Sequence, residues 1–151
     1  MDPPQIDTVL VGLDATPDAL TAAELAVAIA GRYDADLVGL FVHDEQEVAA
    51  VESGAISPEE ISDVARGVLD DIATVAEAAG VTFRPATAYG FSTRRKLVHP
   101  GSVVLDAADE FAADFIVLPR EPVGGTAPQT GTLVKAAEYA LLYASRPILA
   151  V

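Results

Sequence analysis

Short apolar runs alternate with longer helical patterns along this chain. TVLVGL (8–13) is a continuous apolar run, as expected of a strand buried on both faces. Thr16-Pro17 follows it. Thr16 suits an N-cap, and Pro17 suits the first helical position, where its fixed φ helps and its missing N–H costs nothing. The helix they open is expected to end at Gly31. DLVGLFVH (36–43) reads as the second strand, and 46–57 as an excursion holding a short helical turn. Ser57 and Glu60 have the spacing of a capping box. Ile61, Val64, Val68, Ile72, Val75 and Ala79 then recur at steps of three and four, which builds one apolar helix face. Gly80 closes that helix. VTFRPAT (81–87) reads as the third strand, and Pro85 marks it as an edge because it lacks an amide donor.

After a long connection (88–100), a helix is predicted over about 101–112, with Val104, Ala107, Ala108 and Phe111 on one face. DFIVLP (114–119) is the fourth strand. A loop rich in Pro, Gly and Thr leads to a last helix over about 132–144, and PILAV (147–151) is the fifth strand. Strands separated by helices imply parallel pairing with right-handed crossovers. The expected fold is an α/β, three-layer open parallel five-stranded sheet. No repeat or linker divides the chain, so 1–151 reads as a single domain. In such sheets ligands bind beyond the carboxyl ends of the strands, where strand order reverses. The loops of interest begin at Asp14, His43 and Pro119.

Composition narrows the class of function. The chain has 151 residues, 23 acidic against 9 basic, a formal charge of -14 and no Cys. Thiolate metal sites, disulfides and Cys nucleophiles are excluded. Nucleic acid and anionic membrane surfaces are disfavoured, since both need a basic footprint. The acid is 13 Asp and 10 Glu, and only Lys96 and Lys135 are lysines. Asp-rich, Lys-poor surfaces suit salt-accumulating cytoplasms, where salt screens the repulsion. A halophilic source is expected. The N-terminus has no basic n-region, and no run nears the roughly 20 apolar residues that span a bilayer. A cytoplasmic protein is expected.

TVLVGLDATPDAL resembles the first strand and loop of universal stress protein (UspA-like) domains. SVVLDAADEFAADFIVLP is similar to the family's third helix and fourth strand, and KAAEYALLYASRPILAV to its last helix and strand, including Ala137-Glu138 and Pro147. The resemblance implies a sheet order of 3-2-1-4-5. Many members bind ATP through Gly-x-x-Gly, nine residues, then Gly-Ser or Gly-Thr. Backbone amides freed by the glycines approach the phosphates at a helix N-terminus. This chain departs from that motif. Counted from the fourth strand, the two glycines fall on Pro119 and Pro122, which have no N–H. Gly124-Gly125-Thr126 and a displaced Gly131-Thr132 remain. By resemblance the candidate ligand contacts are Asp14, Ala15, Val42, Leu118, Gly124, Gly125, Thr126, Gly131 and Thr132. ATP or another adenine nucleotide is the candidate cofactor; the alternative is that these glycines only shape turns.

A second departure is AYGFSTRRKLVHPGS (88–102). About ten residues precede the family's turn, and Arg94, Arg95 and Lys96 supply a third of the basic residues there. They either neutralise acidic helix faces through weak surface pairs or, with Arg120 and Lys135, contact an anion. No catalytic set emerges. His43 and His99 lack a Ser elbow or Cys, no metal-ligand spacing occurs, and His43 is either structural or lines a crevice. The expected role is regulatory or protective, without turnover. The alternatives are an ATP switch with slow phosphohydrolase or autophosphorylation activity, and a docking module for a transporter or enzyme. The uncharged PILAV edge, like the family, implies a homodimer through 147–151.

Overall fold

A computed structural model describes residues 3–43, 45–89, 100–119 and 132–151. The elements are β1 (Thr8–Leu13), α1 (Pro17–Tyr33), β2 (Asp36–His43), α2 (Glu45–Glu52), α3 (Pro58–Ala78), β3 (Phe83–Tyr89), α4 (Pro100–Glu110), β4 (Phe115–Leu118), α5 (Thr132–Tyr143) and β5 (Ile148–Ala150). All strand pairs are parallel, in the order β3-β2-β1-β4-β5. The expected fold is the observed one. Among the described residues, no helix is long and apolar enough to cross a membrane.

Strand alternation divides the core in two. Val9, Val11, Leu13, Leu37 and Phe41 pack with α1 and α3. Leu10, Val38, Leu40, Val42, Ile116 and Leu118 pack with α4 and α5. Each central strand feeds both layers, which is why β1 reads as a continuous apolar run. The helices meet the sheet through small residues. Ala19, Ala22, Ala23, Ala26 and Ala30 are all buried on α1, so this helix can lie close to the strands.

Three helices end in the same way. Asp34, Gly80 and Ala112 are all left-handed, with φ of 55°, 71° and 53°. Directly after each, a buried residue (Ala35, Val81, Ala113) donates its N–H to Ala30, Ala76 and Ala108 respectively, at 2.8, 2.9 and 2.8 Å. This is the six-to-one bond of the Schellman motif. Gly31 therefore does not end α1: the helix continues two residues past it to Tyr33, because the closing turn is built at Asp34. The excursion at 46–57 contains a two-turn helix, α2. β3 starts and finishes two residues later than expected.

The edge position of β3 is explained by its hydrogen bonding. Leu37 N–H donates to the Thr82 carbonyl at 2.9 Å, so alternation turns the even-numbered residues of β3 toward β2. Pro85 falls on the outward set, where its missing donor costs the sheet nothing. Gly39 on β2 lies beneath Phe83, and a Cβ there would stand 2.6 Å from the ring. At the other end of the sheet, Asp114 fixes the entry to β1. Its Oδ2 accepts from the amides of Asp7 at 2.8 Å and Thr8 at 3.1 Å.

Candidate functional site

The sheet brings three strand ends together. Leu13 is opposite Phe41, and Val11 is opposite Val117. Continuing these registers sets Asp14 beside Val42 and Leu118 beside Gly12. Strand order reverses between β1 and β4, so Asp14, Ala15, Val42 and Leu118 ring the point where open α/β sheets bind ligands. Val42 and Leu118 are 1% and 0% exposed. Their side chains belong to the core, and only their backbone groups remain to address a ligand.

Asp14 is held by its own turn. Its Oδ1 accepts from the Thr16 amide at 2.9 Å and from the Thr16 hydroxyl at 2.5 Å. This is an Asx-type turn. The second oxygen, Oδ2, has no partner among the described residues. Thr16 sits at the N-cap of α1 with extended backbone, but its side chain makes no cap bond; its hydroxyl is committed to Asp14 instead. The Asp-x-Thr spacing of residues 14–16 carries this signal. Asp14, Ala15 and Thr16 also border a cleft of about 250 Å3 toward α3, closed by Leu20, Val68 and Asp71. A larger cleft, of about 510 Å3, lies away from this point, between α3 and β3.

His43 ends β2 and is 4% exposed. Its Nδ1 lies 3.0 Å from Oε2 of Glu47 in the first turn of α2, and its ring meets Phe41 edge-on, with centroids 5.0 Å apart at 61°. The pair fastens α2 to the carboxyl end of β2. Glu47 escaped the sequence reading because its partner lies on a different element.

Thr132 is the first residue of α5, and Lys135 follows in the same turn. The helix N-terminus is directed at the carboxyl edge, as in every right-handed crossover of this fold. Gly124, Gly125, Thr126, Gly131, Arg94, Arg95, Lys96 and Arg120 lie outside the described residues. Among the described residues, no three His, Asp or Glu side chains group as metal ligands.

The open parallel sheet, its reversal at β1 and β4, and the acidic turn at that point define a Rossmann-like α/β domain. The model of the universal stress protein family matches residues 5–151. The chain belongs to the universal stress protein family. Solved structures agree on the fold. UspA from Lactobacillus plantarum is 21% identical, with TM-score 0.68 and 99% of each chain covered. A universal stress protein in complex with cAMP is 21% identical, with TM-score 0.67 and 98% of each chain covered. The protein from Archaeoglobus fulgidus in complex with dAMP is 17% identical, with TM-score 0.61 and 96% of each chain covered. No curated protein sequence matches this chain significantly.

Proposed function

We propose that this is a regulatory, non-catalytic universal stress protein that holds an adenine nucleotide at the carboxyl edge of β1 and β4. The observation that carries the reading is Asp14: a carboxylate fixed by Thr16 at the strand-order reversal, with one oxygen left over. A fixed acceptor suits the donors of a nucleoside, the ribose hydroxyls or the exocyclic amine, rather than its phosphates. Backbone groups at Val42 and Leu118 stand on either side. The cAMP and dAMP complexes of the two relatives support the same ligand class. Pro119 has no N–H to offer a phosphate, which supports binding without turnover. The N-terminus of α5, which opens at Thr132, is then the element that approaches the phosphate. The acidic composition supports a salt-rich cytoplasm as the setting.

Asp14→Asn tests this reading, since Asn keeps an acceptor for the Thr16 turn and removes the charge. The expected result, by calorimetry with AMP and ATP in concentrated potassium chloride, is an affinity loss of at least about tenfold, the lower end of what one charged hydrogen bond is worth. ATP incubated with the protein should be hydrolysed no faster than in buffer. Unchanged affinity in Asp14→Asn, or sustained turnover, contradicts the proposal.

A second reading concerns assembly. Leu141, Leu142 and Tyr143 are 59%, 77% and 66% exposed at the end of α5, beside the open edge of β5, where Leu149 is 37% exposed. These residues support a two-fold dimer with β5 of one copy pairing β5 of the other. Ile116 N–H donates to the Pro147 carbonyl, so Ile148 and Ala150 turn their amides outward. Ala150→Pro removes an outward donor and leaves the β4 ladder intact. Sedimentation should show a dimer in the parent protein and a folded monomer in the variant; a monomeric parent refutes the reading.

A further inference from the structure

β3 forms the other edge of the sheet, and two clefts flank it. One, of about 510 Å3, lies toward α3, with Leu69, Ala73 and Phe83 among its apolar walls. The other, of about 320 Å3, lies on the opposite face toward α4, with Leu40, Ala86 and Phe111. An extended chain laid along β3 sends successive side chains to opposite faces of the sheet. Its side chains would therefore enter the two clefts alternately. Among the described residues, these outward backbone groups of β3 have no strand partner: the amides of Phe83 and Thr87, and the carbonyls of Phe83, Pro85 and Thr87. Only Pro85 withholds a donor.

Charge decides which chain fits. Among the described residues, the ionisable ones bordering the clefts are all carboxylates: Asp70 and Glu77 on α3, Asp106 and Glu110 on α4. All four are exposed, and none is in an ion pair among the described residues. Arg66, Arg84 and Arg146 are already committed to Asp63, Asp36 and Asp109. A second copy pairing here edge to edge would bring eight like charges together and would double the missing donor at Pro85.

We infer that the β3 edge is a docking surface for an extended segment of a different protein, one that carries both apolar and Lys or Arg side chains on each of its two faces and adds a strand to the sheet. The mode is β-strand addition, with backbone bonds giving affinity and the two clefts giving selectivity. This inference does not rest on the nucleotide reading: the surface is the outer edge of β3, two strands away from β1 and Asp14, and shares no residue with that site.

The test uses the full chain and the capped peptide Lys-Leu-Val-Arg-Val-Leu-Lys. Fluorescence anisotropy measures binding, and amide hydrogen exchange locates it. The expected result is saturable binding that weakens with salt, with slowed exchange at Phe83 and Thr87. The same peptide with Glu at each basic position should not bind. Asp70→Lys/Glu77→Lys/Asp106→Lys/Glu110→Lys should keep its circular dichroism and lose binding at least about tenfold. Thr87→Pro, which removes one outward donor and no β2 bond, should weaken binding in a chain whose four carboxylates are intact. No binding by the parent protein overturns the inference. So does equal binding of the Glu peptide, protection confined to β5, or self-association through β3.

Discussion

Phe41→Ala should destabilise the protein by about 4 kcal/mol, the middle of the range for aromatic core truncation. Phe41 is 1% exposed and is the largest fully buried side chain among the described residues. It lies on the layer of the core shared with α1 and α3. The buried face of α1 is nearly all alanine, so no long side chain there can swing into the space. The cavity stays open, and its cost adds to the lost transfer energy. The ring also supports His43 from one edge, so truncation should loosen α2 together with the core. Urea unfolding checks the prediction. Phe41→Leu, which keeps most of the volume, should cost under about 1.5 kcal/mol. A loss that small in Phe41→Ala itself would show that the layer can collapse around the gap.

Gly101→Ala carries the second large effect, with an expected cost of about 3 kcal/mol. Gly101 lies in the first turn of α4 and is buried against α5. A Cβ built there would stand 2.4 Å from Cβ of Tyr139 and 2.5 Å from its Cδ1. The tyrosine Cβ is fixed to the α5 backbone, so a rotamer change cannot relieve the clash and the two helices must separate. The gain in helix propensity from Gly to Ala, at most about 1 kcal/mol, does not offset this. Gly39→Ala makes an instructive contrast. Its clash at 2.6 Å is with the tip of the Phe83 ring, which lies on the edge strand and can swing outward. Thermal unfolding of the two variants should show Gly101→Ala shifted further. Equal shifts would mean that α4 and α5 slide apart easily.

The sequence made much of the order of elements legible because β1, β2 and β4 are apolar on both faces and α1 and α3 open with Pro directly after Thr16 and Ser57. Ser57 does accept the Glu60 amide at 3.2 Å, and Pro85 does mark an edge. Helix ends were less legible. The left-handed residues at Asp34 and Ala112 are not glycines, and the turn there follows from a backbone bond to a residue four positions before the cap. That bond leaves no mark on composition, whereas Gly31 offered a local signal with no turn behind it. At the site, Asp14, Val42 and Leu118 could be brought together from the family resemblance, which supplied the strand order. The burial of Val42 and Leu118 could not, since it depends on what α4 and α5 cover. The Asp14–Thr16 turn was written in the spacing, but a competing capping role for Thr16 hid it. The His43–Glu47 pair joins two elements through side chains and needs the folded chain to be seen.

A nucleotide held at the reversal of strand order is the central proposal. The most direct measurement is a titration of isotope-labelled protein with AMP in concentrated potassium chloride, followed through its backbone amide resonances. The account predicts saturable shifts at Asp14, Ala15, Val42 and Leu118 and at the start of α5 around Thr132, with Gly80 to Phe83 at the far edge unmoved. Resonances that do not respond at millimolar AMP, or shifts that gather away from the ends of β1 and β4, would contradict it.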